Sequence, residues 1–147
     1  YMLYDSQNEK VSIENEIGYL HNYIELQKIK SGDNLNLIFE IEGSEVNCMI
    51  PPLLLIPFFE NATKHGELDK RKMGFFKAKL TLAHDQLRFT CSNLIKANNP
   101  TLNEPGGIGL NNVKDRLKLI YPNKHQLNME QKGNIFTVDL KIQLHDQ

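Results

Sequence analysis

The sequence contains no tryptophan and only two cysteines, and its charges nearly cancel: 17 Lys and Arg against 18 Asp and Glu leave a formal net charge of −1. Each shortage closes a class of function. Balanced charge supplies no field that would draw nucleic acid. Two cysteines cannot build a disulfide scaffold. Cys48 and Cys91 lie in apolar, strand-like stretches and read as reduced core residues of a cytosolic protein rather than a disulfide or metal pair. No apolar run is long enough to cross a bilayer, and no signal-peptide pattern opens the chain. Without tryptophan, a peptide- or sugar-binding groove lacks its strongest aromatic lining. Neither an internal repeat nor a low-complexity tract is visible.

What is present suffices for one core. With 147 residues and 40% hydrophobic content, the chain is expected to form a single domain. Residues 1–10 open on Tyr1-Met2-Leu3-Tyr4, which reads as a continuation of something longer, and are expected as a surface tail or linker; the domain proper covers 11–147. Ser12 suits a helix cap, with Glu14 and Glu16 favouring its positive end. Ile13, Ile17, Leu20 and Ile24 recur at helical spacing, Tyr19, Tyr23 and Leu26 widen the apolar face, and Ser31-Gly32 ends the run. This helix either packs on the core alone or also docks on an upstream segment.

Leu35, Leu37, Phe39 and Ile41 alternate as in a strand with one buried face, and 42–45 turns the chain toward a short strand over Val46–Ile50. Then comes the stretch on which the chain is organised, Pro51 to Gly66. Its first half is nearly all apolar. Its second half carries Glu60, Asn61, Lys64 and His65. Asn61 and His65 share a helix face, and Glu60 and Lys64 share the next. Pro52 suits a first helical turn, Pro57 should delay or kink the helix, and Gly66 suits its cap. Residues 67–74 form a charged loop. Phe75–Ala83 and Leu87–Cys91 form a hairpin that delivers Asn93 at its end. Residues 94–105 have no period and the length of a lid. Gly106-Gly107-Ile108-Gly109-Leu110 then opens a helix that stops at Pro122, and Gln126–Gln131 with Ile135–Leu144 closes the chain as a second hairpin. About six strands and three helices result. They predict an α/β (α+β) two-layer sandwich: a mixed, mostly antiparallel sheet with the helices on one face.

Bare glycines before a helix let backbone N–H groups approach an anion, and the helix start adds partial positive charge. The pattern is neither a Walker loop nor a dinucleotide fingerprint. A polar helix end and a glycine turn, separated by a lid-length loop, are the two halves of a nucleotide pocket.

Glu60-Asn61-Ala62-Thr63-Lys64-His65-Gly66 resembles the N-box of the histidine-kinase ATPase domain. That domain belongs to the Bergerat-fold superfamily shared with gyrase, the heat-shock-ninety chaperones and the mismatch-repair ATPases. Gly107-Ile108-Gly109-Leu110-Asn111-Asn112-Val113-Lys114-Asp115-Arg116-Leu117 resembles the second glycine box and the helix after it. Together with Tyr23-Ile24-Glu25-Leu26-Gln27 and Pro51-Pro52-Leu53-Leu54-Leu55, these point to the sensor kinases whose usual partners are LytTR-type response regulators. The resemblance runs from about Val11 to Leu144.

The resemblance implies a catalytic domain that binds ATP and Mg2+ and delivers the γ-phosphate to a histidine. That histidine lies on an upstream dimerisation segment, so the full-length protein is a homodimer; it is a bacterial, membrane-anchored sensor with this domain in the cytoplasm. By the same resemblance Asn61 holds Mg2+, with Glu60 beside it steering the metal shell or the acceptor histidine, or else pairing with Lys64. Lys64 and His65 meet phosphate oxygens. Gly107, Gly109 and Leu110 form the phosphate turn. Asn112 and Arg116 match positions on the helix behind the lid, Arg116 either as a ligand or in a surface ion pair. The remaining histidines, 21, 84, 125 and 145, read as exposed polar residues.

Two departures stand out. Asn93 occupies the place of the aspartate that accepts a hydrogen bond from the adenine amino group, and Asn93-Leu94-Ile95-Lys96-Ala97 replaces the first glycine box. Asn134 stands near a family threonine and is a candidate to compensate. Gyrase-like hydrolases also carry a glutamate four residues before the metal asparagine; here that position is Pro57, which favours transfer to a histidine over hydrolysis. The alternative is a nucleotide-weak or inactive relative that works as a protein-interaction module.

Overall fold

The structure, a computed structural model, describes residues 10–32, 34–43, 48–65, 68, 74–83, 85–95 and 107–144. Of the lid-length loop expected over 94–105, residues 96–105 lie outside the described residues, as do Gly106, Gly66, His84, His145 and the side chain of His65; Leu94 instead ends a strand.

The chain opens with a two-residue strand β1 (Val11–Ser12) and the helix α1 (Ile13–Ser31). Ser12 caps α1, accepting from the Asn15 N–H, and Gly32 closes it at φ 63°, the left-handed geometry that glycine adopts without strain. Ile13, Glu16, Leu20 and Ile24 face inward. Tyr19 and Leu26, expected to widen the apolar face, instead lie outside it, 49% and 58% exposed; at 100° per residue they point away from the Leu20–Ile24 stripe.

Next come β2 (Leu37–Glu42), β3 (Met49–Ile50), α2 (Ile56–His65), β4 (Phe76–Leu82), β5 (Gln86–Leu94), α3 (Gly107–Ile120), β6 (His125–Lys132) and β7 (Ile135–Gln143). The main sheet has the order β2-β4-β5-β7-β6. Its pairs are antiparallel except β2 with β4. That parallel pair requires a crossover, and α2 is part of it. The short strand expected over 46–50 pairs with β1, Val11 opposite Ile50, and not with the main sheet; a two-residue strand such as β1 has no period to reveal it.

Alternation sets the layers. Phe76, Ala78, Leu80 and Leu82 of β4, Leu87, Phe89 and Cys91 of β5, and Phe136, Val138, Leu140 and Ile142 of β7 are buried in one core with Leu20 of α1, Phe58 and Phe59 of α2, and Leu110, Val113 and Leu117 of α3. The opposite residues, among them Lys77, Lys79, Arg88 and Glu130, stay exposed. This is the expected two-layer sandwich, with three helices among the described residues. Gly43, at the exit of β2, has φ 97°, and a Cβ there would overlap the Leu82 carbonyl. Both cysteines are free and buried.

Candidate nucleotide site

The helix that carries the polar cluster begins at Ile56, not at Pro52. Pro57 is the proline in its first turn, where a missing N–H costs nothing. Residues 51–55 form an irregular turn in which Leu53 takes φ 58°, a left-handed conformation rare for a branched side chain.

Three contacts fix this turn and helix. The carboxylate of Glu16, only 2% exposed, accepts from the Leu53 N–H at 2.9 Å and the Leu55 N–H at 3.1 Å. No acidic residue stands in the first turn of α2 itself, so Glu16 of α1 supplies the cap from outside. On the carbonyl side, Arg116 donates to Pro52 O at 2.9 Å and Leu53 O at 3.3 Å. At the far end, the Tyr23 hydroxyl meets Thr63 Oγ1 at 2.8 Å. Burial pushes the Glu16 carboxyl above its ordinary value, against the pull of the Leu55, Leu53 and Leu54 amides and of Arg116. Burial likewise pulls Arg116 down, opposed by Glu16.

Asn61 is half-buried on α2, and Glu60 and Lys64 are exposed. Glu60 and Lys64 do not pair with one another; the ion pairs among the described residues lie elsewhere. No group of three or more His, Cys, Asp or Glu able to hold a metal exists among the described residues.

α3 packs against α2. Gly107 opens it, and Leu110, fully buried, anchors its first turn. Gly109 is exposed, and a Cβ built on it would meet nothing within 4 Å. Neither a positive φ nor internal packing therefore demands glycine there. Asn112 is exposed, whereas Arg116, half-buried, turns to the 52–53 carbonyls.

Asn93 is 1% exposed. It stands on the helix-facing side of β5 in register with Phe136, and its Nδ2 donates to the Leu94 carbonyl at 3.2 Å. The Ile95 N–H donates to Asn134 O at 2.7 Å, so Asn134 stands at the same end of the sheet. An open depression of about 800 Å3 lies on the other, polar face, lined by residues such as Lys77, Ser92 and Thr137. None of the residues expected to bind nucleotide lines it.

Sequence reasoning missed Glu16 as a buried anchor. The signal was there: a carboxylate inside the Ile13–Leu20–Ile24 stripe must be buried or break the stripe. His125, expected as exposed, is half-buried with Nδ1 2.7 Å from Tyr121 O, and His21 lays its ring near that of Phe39.

No family model matches the sequence. The sensor histidine kinase YpdA of Escherichia coli is 32% identical over 122 residues, 78% of this chain and 21% of that protein. The sensor protein LytS of Streptococcus mutans is 26% identical over 151 residues, 95% of this chain and 26% of that protein. The chain thus spans about a fifth to a quarter of these curated relatives. Among solved structures, the catalytic domain of histidine kinase ThkA aligns with a TM-score of 0.61 at 16% identity, covering 92% of this chain and 96% of that one. ThkA in complex with the response regulator TrrA gives 0.63 at 16% identity, covering 93% of this chain and 42% of that one. By homology to sensor kinases along most of its length, and by a fold shared with their catalytic domains, the chain belongs to the sensor histidine kinase family.

Proposed function

We propose that this domain binds ATP with Mg2+ beside α2 and α3 and presents the γ-phosphate to a histidine on a dimerisation segment of a longer, membrane-anchored bacterial sensor, with this domain in the cytoplasm. Among the described residues no helix is long and apolar enough to cross a membrane. The observation that carries the reading is Gly109. Its Cα faces open space at the start of a helix packed on the one that bears Asn61, an arrangement suited to the close approach of phosphate oxygens.

The donor set fits a phosphate-borne Mg2+ better than a protein-caged one. Mg2+ keeps several waters and takes one or two protein oxygens when phosphates supply the rest, and Asn61 with Glu60 offers that number. When bound, the ion neutralises charge on the phosphates. The chain's own part is positioning: Asn61, Lys64 and His65 on α2, Gly107, Gly109, Leu110 and Asn112 on α3, and Asn93 under the base. Arg116 serves through the 52–53 turn. Pro57 lies one turn before Asn61 and supplies no base for water, which supports transfer over hydrolysis. The Pγ–O bond to the leaving ADP breaks as a P–N bond to the acceptor imidazole forms, and ADP departs with the electron pair. The phosphoryl group then passes to a response regulator, for which we propose the LytTR type.

Titration calorimetry with Mg-ATP tests this. Binding that weakens markedly with EDTA and in Asn61→Ala, while the circular dichroism spectrum is retained, is the expected result. One observation favours a second reading, a nucleotide-inert interaction module: the buried amide of Asn93 is neutral and already donates to Leu94. Absence of heat at millimolar Mg-ATP would select that reading.

A further inference from the structure

We propose that Glu16, Tyr23 and Arg116 are positioning residues for Asn61, locking the register of α2 against α1 and α3. The claim rests on the nucleotide reading above and assigns roles to three side chains that touch neither phosphate nor metal in it.

Glu16 is the one buried charged side chain among the described residues. Burying a carboxylate carries a desolvation cost unless hydrogen bonds satisfy it, and the core would pack more simply around an apolar residue at this position. What the carboxylate supplies is a grip on the 53–55 amides. Arg116 grips carbonyls of the same turn, sharing the Pro52–Leu53 peptide, so both edges of the turn are held, one from α1 and one from α3. Leu53 keeps φ 58° between them. Such a conformation persists where its surroundings over-determine it, and here they do.

The turn feeds directly into α2: the Phe58 N–H donates to Leu55 O at 3.1 Å, tying the helix's first turn to it. About two turns further along α1, Tyr23 holds Thr63. α1 therefore holds this segment at two points, residues 53–55 and Thr63, with Asn61 between them. A helix is rigid over this length, so slip at either point displaces Asn61 by a similar amount. A displacement of about 1 Å at a reacting centre costs up to about a hundredfold.

The test uses the 147-residue chain with Tyr23→Phe, which removes one hydroxyl, and Arg116→Lys; Glu16→Gln is a third variant, and Leu119→Ala, on the exposed face of α3, is the control. The readout is the ratio of ATP affinities with Mg2+ and with EDTA. Tyr23→Phe and Arg116→Lys should lower that ratio about five- to tenfold. In an Asn61→Ala background the same substitutions should have no further effect, because a residue that acts through Asn61 loses its lever when Asn61 is gone. Equal losses in both backgrounds, or a drop in melting temperature with the ratio intact, would overturn the proposal. The Asn61 side-chain amide resonance gives a readout without nucleotide. It should shift in Tyr23→Phe and Arg116→Lys and stay in place in Leu119→Ala; an unmoved resonance overturns the proposal. A wild type that ignores Mg-ATP sinks the nucleotide reading, and the resonance still decides whether these residues set the place of Asn61.

Discussion

The ring of Phe59 meets the ring of Phe76 edge-on, with centroids 5.1 Å apart and planes at 71°. Phe59 also touches Phe39 at 5.2 Å and Phe89 at 6.0 Å, so a single side chain of α2 ties together β2, β4 and β5. It stands two positions before Asn61, and the helix takes its seat on the sheet through it. Phe59→Ala should cost about 3–5 kcal/mol, and Phe59→Leu about 1–2 kcal/mol. Urea unfolding monitored by circular dichroism measures both. A loss under about 1 kcal/mol for the alanine would show that the site collapses easily.

Gly109 and Gly43 should behave oppositely when replaced by alanine. Gly109 lies in α3 with open space above it, so Gly109→Ala should raise stability by up to about 1 kcal/mol through helix propensity while weakening Mg-ATP binding. Gly43→Ala forces a Cβ into the Leu82 carbonyl at φ 97° and should lower stability by more than about 1 kcal/mol. Melting curves beside calorimetry separate the two. Undiminished nucleotide binding by Gly109→Ala would count against a phosphate approach at this turn.

Asn93→Asp should sharpen the preference for ATP over GTP by about tenfold, because a charged acceptor holds an exocyclic amino group more strongly than an amide carbonyl. The same change buries a carboxylate and should lower the melting temperature. Competition between the two nucleotides for a fluorescent analogue gives the ratio. An unchanged ratio would mean that this side chain does not read the base.

Arg88 and Asp139 pair across β5 and β7 with Nη2–Oδ2 at 2.8 Å and Nε–Oδ1 at 3.1 Å. Hydrogen bonding to Arg88 holds the Asp139 carboxyl below its ordinary 3.8. A depressed folded value means stability fully present above pH 3.8 and lost as pH falls through the folded value. Asp139→Asn should therefore flatten the acid limb of the stability curve relative to wild type, and the difference should shrink in high salt because the pair is partly exposed. Glu16 has the opposite sign: its raised carboxyl contributes most below its ordinary 4.5 and less as pH rises through the folded value. An Asp139→Asn acid limb that overlays the wild type would show that the pair adds nothing.

Burial pushes the Cys91 thiol far up and raises that of Cys48 as well. Since the thiolate is the reactive form, neither should react with an aromatic disulfide reagent in the native protein, and both should react in urea. One equivalent of fast native reaction would contradict the burial of Cys48.

The sheet was largely readable from alternation, because Phe76-Ala78-Leu80-Leu82 and Leu87-Phe89-Cys91 each bury every second residue. α1 was readable from its 3.6 period and its caps. The start of α2 was not: Pro52 and Pro57 satisfy the same first-turn rule, and only the tertiary grip of Glu16 and Arg116 on residues 53–55 decides between them. The partner of β3 was hidden for a related reason, since its contact with β1 is long-range and two residues deep. Of the residues proposed for the site, the sequence grouped them by family resemblance, and the structure adds the packing of α2 on α3, the open space at Gly109 and the inward turn of Arg116.

The borders of the sheet carry a last consequence. The outermost strands are β2 and β6, and their outward-facing or rim residues include Glu40, Glu42, Asn128, Glu130 and Lys132. Charged and polar side chains along an edge discourage pairing with a strand of a neighbouring molecule. Contact between two copies would then run through side chains rather than through shared backbone pairing.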